Sequence, residues 1–151
     1  DYCTMFEPAA CEYEAQGKGY IVASVGQESG EVPYTCFMAK QSYIDANPDK
    51  IEGFLRAVTK AIKYVNETDS ATVAQQLLPY FDGTTLQSLE VSVENYKAID
   101  SWVTDMAMKE SAFTRLQDII ESAGELERRV DFDELVLTDV AHAVYEQVYG
   151  L

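Results

Sequence analysis

The chain has one histidine, His142, and only three cysteines, Cys3, Cys11 and Cys36, among its 151 residues. The cysteine spacings match no metal motif, and a lone histidine leaves little from which to build a Cys/His zinc site. Three thiols allow one disulfide and one leftover in three ways. All three are expected to be free and buried, acting as small apolar residues. Basic residues are also scarce: Lys and Arg number 11 against 26 Asp and Glu, a formal net charge of -15. A nucleic-acid binder needs a basic face to release counterions from phosphate, so that class is excluded. Adhesion to an anionic membrane surface is disfavoured for the same reason. No apolar run approaches the roughly 18 residues of a membrane-crossing helix.

Catalytic signatures are missing as well. There is no G-x-S-x-G, P-loop, dinucleotide fingerprint or H-E-x-x-H. His142 lies between Ala141 and Ala143 with no serine or cysteine nearby, which reads as a packed or surface histidine rather than a base. Asp131, Asp133 and Glu134 lack the glycine and further ligands of a calcium loop and read as a solvated segment. No enzyme chemistry, cofactor or metal is expected.

What is present is ordinary globular material, with 47% hydrophobic residues and ten tyrosines, enough for a packed core. Tyr2 to Phe6 reads as a short buried strand, Ala9 to Gln16 as a helix, and Tyr20 to Val25 and Val32 to Ala39 as further strands. Pro33 puts the last of these at an edge or a crossing. From Asn47 the period changes to about 3.6. Asn47 and Pro48 open a helix carrying Ile51, Leu55, Val58 and Ile62 on one face. Further helices are predicted from Ser70 to Tyr80, from Thr84 or Thr85 to about Asp100, from Lys109 to Ala123, and from Thr138 or Asp139 onward. Leu126 to Val136 reads as irregular. The predicted fold class is α/β: a β-α-β-β front followed by about five helices. Such a front is too small to close a sheet core alone, so the chain is expected to be part of a longer protein and open to self-association.

Met5-Phe6-Glu7-Pro8 is the constellation with chemical promise. A strand ending in a carboxylate before a helix would set Glu7 at the edge of the sheet where ligands sit in open α/β folds. The alternative is that Glu7 caps the helix that follows. Tyr34 and Thr35 fall where an extended segment would cross between lobes, and tyrosine offers an apolar face with a hydroxyl. Trp102 has a face suited to stacking, or to packing at a helix end.

Four blocks in order carry a resemblance: Asp1-Tyr2-Cys3-Thr4-Met5-Phe6-Glu7-Pro8, Gly19-Tyr20-Ile21-Val22-Ala23-Ser24-Val25-Gly26, Val32-Pro33-Tyr34-Thr35, and Asn47-Pro48-Asp49. Together with Phe113 to Gly124 and Val130 to Val136, they resemble the ABC-importer substrate-binding proteins for nitrate, alkanesulfonates, taurine and thiamine-pyrimidine precursors. The resemblance implies the C-terminal half of a type II periplasmic-binding-protein fold. Residues 1–31 would end lobe two, 32–40 would form the return crossing or hinge, and 41–151 would be helices packing on lobe one. It implies a small-molecule ligand, ABC permease partners, an extracytoplasmic location and a lipid anchor elsewhere in the full-length protein. Glu7, Met5, Tyr34 and Thr35 would be the ligand-binding residues, and Phe-Glu-Pro looks closer to the pyrimidine-precursor branch. Two alternatives stand beside this one. A pyrimidine-precursor synthesis enzyme on the same fold would use histidines heavily, against one here; an interaction fragment would bind no ligand at all.

Overall fold

The computed structural model describes all 151 residues, Asp1–Leu151. About 60% of them are helical and none is in a strand. The helices in chain order are α1 (Ala9–Ala15), α2 (Val25–Ser29), α3 (Gln41–Ala46), α4 (Pro48–Glu67), α5 (Ser70–Leu77), α6 (Leu86–Ala98), α7 (Glu110–Ser122), α8 (Phe132–Leu135) and α9 (Asp139–Tyr149), with a 3-10 turn at Leu78–Tyr80. None is long and apolar enough to cross a membrane.

The predicted α/β class, with its β-α-β-β front, is therefore corrected to all-helical. The three expected strands lie in segments without regular structure, except that Val25 opens α2. Tyr20 is 87% exposed and Val22 71% exposed. Their β-branched and aromatic composition favours a pleated, half-buried surface, but that preference acts through cross-strand neighbours. With no ladder alongside, composition alone does not make a strand.

The chain forms two compact units, each built from two stretches. The first comprises Asp1–Glu28 and Lys63–Trp102; the second comprises Ser29–Ile62 and Val103–Leu151. In the first, α5 packs against α6, and α1 also packs on α6. Val73 and Ala74 from α5, Leu89 and Val93 from α6, and Cys11 from α1 are buried. The helix starts follow from their caps. Asp69 accepts a hydrogen bond from the Thr72 amide at 2.8 Å, which also holds its carboxyl below the usual range. Thr85 accepts from the Ser88 amide at 3.1 Å.

In the second unit the part of α4 up to Ile62 meets α9 through Arg56, which reaches both Glu52 and Gln147. Ala112 and Phe113 of α7 and Ala141 and Val144 of α9 are buried. Gln117 ties down the loop after α7: its amide nitrogen donates to the Val130 carbonyl at 3.1 Å and its oxygen accepts from the Val130 amide at 2.8 Å. Arg129 adds exposed ion pairs to Asp118 and Glu121, and its hydrogen bond and charge hold the Glu121 carboxyl below the usual range. Phe37 sets segment 31–40 on α4 through an edge-on contact with Phe54, centroids 4.7 Å apart. Position 30 favours glycine, because its φ of +72° is a left-handed conformation that strains other side chains.

The three cysteines are free, but only Cys11 is buried; Cys3 and Cys36 are exposed. The expectation of three buried thiols thus holds for one. A thiol-reactive chromophore is expected to label Cys3 and Cys36 rapidly in the native protein and Cys11 only on unfolding. Rapid labelling of all three would contradict the packing of α1 on α6.

Candidate functional site

Glu7 precedes Pro8, the N-cap of α1, and its carboxylate works at both oxygens. Oε2 accepts from the Cys11 amide at 3.0 Å, over the first turn of α1. Oε1 accepts from Asn95 Nδ2 on α6 at 2.6 Å. The Glu7 amide donates to the Tyr96 hydroxyl at 3.2 Å. One residue thus satisfies a helix-start amide and joins two helices whose contacts lie 88 and 89 positions along the chain.

Behind this brace is a cavity of about 90 Å³ whose wall includes Glu7, Ser92, Phe81, Leu89, Tyr96 and Trp102. The Tyr96 and Trp102 rings meet edge-on with centroids 5.6 Å apart. Trp102 is fixed at its backbone, where its carbonyl accepts from Asn66 Nδ2 at 3.4 Å. Ligand pockets run to about 300–1,000 Å³, so within this unit the cavity admits a small group of a ligand rather than a whole one. A carboxylate and aromatic side chains on one cavity wall suit a small planar group that carries a hydrogen-bond donor.

The nearby thiol is not a nucleophile. Burial raises the Cys11 pKa, the Ser92 hydroxyl opposes that rise, and Glu7 adds to it. Its sulfur lies 3.1 Å from the Pro8 carbonyl and 3.6 Å from Ser92 Oγ. A protonated thiol in such surroundings is inert packing material.

The sequence-nominated residues fall in different units, Met5 and Glu7 in the first and Tyr34 and Thr35 in the second. Met5 is exposed, Tyr34 is 77% exposed, and Thr35 is exposed. Of the four, only Glu7 lines the cavity. Tyr96 falls on the apolar stripe of its helix with Leu89 and Val93, whereas Asn95 carries no local sequence signal, since polar residues on an amphipathic helix usually face water. A larger open cavity, about 500 Å³, lies in the second unit. Asp105, Met108, Phe132, Asp139, His142 and Glu146 are part of its wall. None of the residues nominated from sequence as ligand-binding belongs to it. No group of three or more His, Cys, Asp or Glu side chains is arranged to hold a metal ion.

Replacing Glu7 with glutamine tests the brace. The new amide group can donate but not accept at one of its two positions, leaving Asn95 or the Cys11 amide without its partner. The expected loss is about 1–3 kcal/mol of stability. Urea unfolding followed by Trp102 fluorescence measures it, and an unchanged midpoint would show that the carboxylate does not hold α1 to α6.

No protein-family model matches the chain, and no solved structure matches it. It is 39% identical over 144 residues, 95% of its length, to "Putative binding protein YtlA" of Bacillus subtilis (strain 168). The match covers 43% of that protein, so the chain spans less than half the length of this relative.

Proposed function

We propose that the protein is a ligand-binding protein, and within that class an extracytoplasmic solute-capture component of an ABC importer. The similarity to a protein named as a binding protein, extending over 95% of this chain, carries the reading. The ordered sequence blocks that resemble importer binding proteins support its finer part. The proposed ligand is a small nitrogen- or sulfur-containing molecule such as a pyrimidine precursor, a sulfonate or nitrate.

In this reading Glu7 and the aromatic cavity behind it take one group of the ligand. Tyr34 and Thr35 belong to segment 32–40, proposed as the hinge on which capture closes. The ligand is carried unchanged, and permease subunits receive it. Transport energy comes from ATP hydrolysis on other chains. The complete polypeptide is proposed to work outside the cytoplasm, held there by a lipid anchor.

Thermal-shift screening of the complete polypeptide against pyrimidines, sulfonates and nitrate tests this. A ligand present at a hundredfold excess over its Kd adds about 2.7 kcal/mol to stability, which moves the melting temperature by several degrees. No shift with any of the three classes would remove the importer reading. A shift that survives replacement of both Glu7 and Tyr34 would remove the residue assignments while leaving ligand binding intact.

A further inference from the structure

The 500 Å³ cavity of the second unit has room for a whole small molecule, since ligand pockets run to about 300–1,000 Å³. Its wall comes from three places: the stretch before α7 that includes Asp105 and Met108, Phe132 of α8, and α9. On α9 the lining residues Asp139, His142, Ala143 and Glu146 recur at i, i+3, i+4 and i+7, so they form one helix face. The facing stretch is fixed. One Asp105 oxygen accepts from the Ala107 amide at 2.9 Å, and the other lies 2.9 Å from His142 Nδ1. Phe132 is held by its edge-on contact with the buried Phe113, centroids 5.7 Å apart.

The polar groups on this wall are unequally committed. Asp105 is used at both oxygens, and Lys109 is drawn to Glu31 at 2.8 Å. Glu146 Oε1 stands 3.7 Å from His142 Nε2, beyond hydrogen-bond distance. The Asp139 carboxylate makes no hydrogen bond or ion pair within the chain. An entering anion therefore meets two carboxylates and no uncommitted ammonium or guanidinium group. A cation meets two acceptors. Between them, Met108 and Phe132 offer a thioether and a ring, which suit the apolar body of an organic molecule. A bare metal ion does not fit, because no three His, Cys, Asp or Glu side chains are arranged to hold one.

We propose that this cavity is a second binding site, which takes a small organic cation: an ammonium or amidinium group on an apolar body. Asp139 and Glu146 supply the counter-charges, and Met108 and Phe132 receive the body. The site shares no residue with the cavity behind Glu7 and is independent of the importer reading.

Benzylammonium, benzyl alcohol and benzoate share a ring and differ in charge, and titrating each into the intact chain at pH 7 by NMR tests the site. His142 is the single histidine, so its Cε1 proton reports on the cavity without ambiguity, beside the amides of Met108 and Ala143. Benzylammonium is expected to shift these signals saturably, benzyl alcohol more weakly and benzoate not at all. Asp139→Asn and Glu146→Gln are each expected to weaken benzylammonium binding about two- to fivefold, the range of an exposed ion pair, and to leave benzyl alcohol unaffected. A chain of net charge -15 attracts cations over its whole surface, so the location of the shifts matters. Shifts as large at Asp118 and Glu121 as at His142 would overturn the proposal. So would the absence of saturation with benzylammonium, equal binding of the alcohol, or undiminished affinity when Asp139→Asn and Glu146→Gln are combined.

Discussion

Replacing Phe113 with alanine is expected to lower the stability of the protein by about 3–5 kcal/mol. Phe113 is 8% exposed on α7 and meets the Phe132 ring of α8 edge-on, with centroids 5.7 Å apart. Truncation forfeits the burial of a large ring and also its aromatic contact. α8 has four residues and no side-chain cap, so it holds its place through packing. The loss should therefore include fraying at Phe132 and disturbance of the loop that Gln117 ties at Val130. Urea unfolding monitored by far-ultraviolet circular dichroism measures the change. A loss below about 1 kcal/mol would mean that the α7–α8 contact is not part of the core, since surface substitutions typically stay within about 0.5 kcal/mol.

Leu89→Ala tests the first unit, with an expected loss of about 2–5 kcal/mol. Leu89 is 2% exposed on α6 and forms part of the wall of the 90 Å³ cavity behind Glu7. Deleting its branch opens a void next to an existing one, and the cost rises with the volume that fails to collapse, at about 24 cal/mol per Å³. The loss should therefore fall in the upper half of the range. Apolar cavities of about 150 Å³ bind benzene, so benzene should raise the melting temperature of this variant more than that of the parent sequence. An equal effect on both would show that Leu89 does not border the cavity.

The helical part of the fold was legible where local chemistry decides it. Pro48 and Asp49 open α4, Thr85 caps α6, and Gly124 takes the left-handed conformation after α7. In each case the signal lies within a turn of the event it controls. The expected strands failed because a strand is a relation between segments. Tyr20–Ser24 has the composition for a ladder and no backbone beside it. α2 and α3 were missed for the opposite reason: at five and six residues, neither spans enough turns to show a helical period.

The same division holds at the sites. That Glu7 would reach the start of α1 could be anticipated from its position before Pro8. Its bond to Asn95 could not, because nothing in residues 86–98 marks one polar side chain as turned inward. His142 and Glu146 are visibly one turn apart, whereas Asp105 lies 37 positions earlier and is brought to the ring only by the fold.

In its proposed role this protein binds a small molecule and returns it unchanged. Calorimetric titration of the complete polypeptide with pyrimidines, sulfonates and nitrate, followed by recovery and chemical analysis of the bound compound, tests it most directly. The expected result is saturable one-to-one binding of a member of one class, with the compound recovered intact. Absence of binding across all three classes, or recovery of a transformed product, would contradict it.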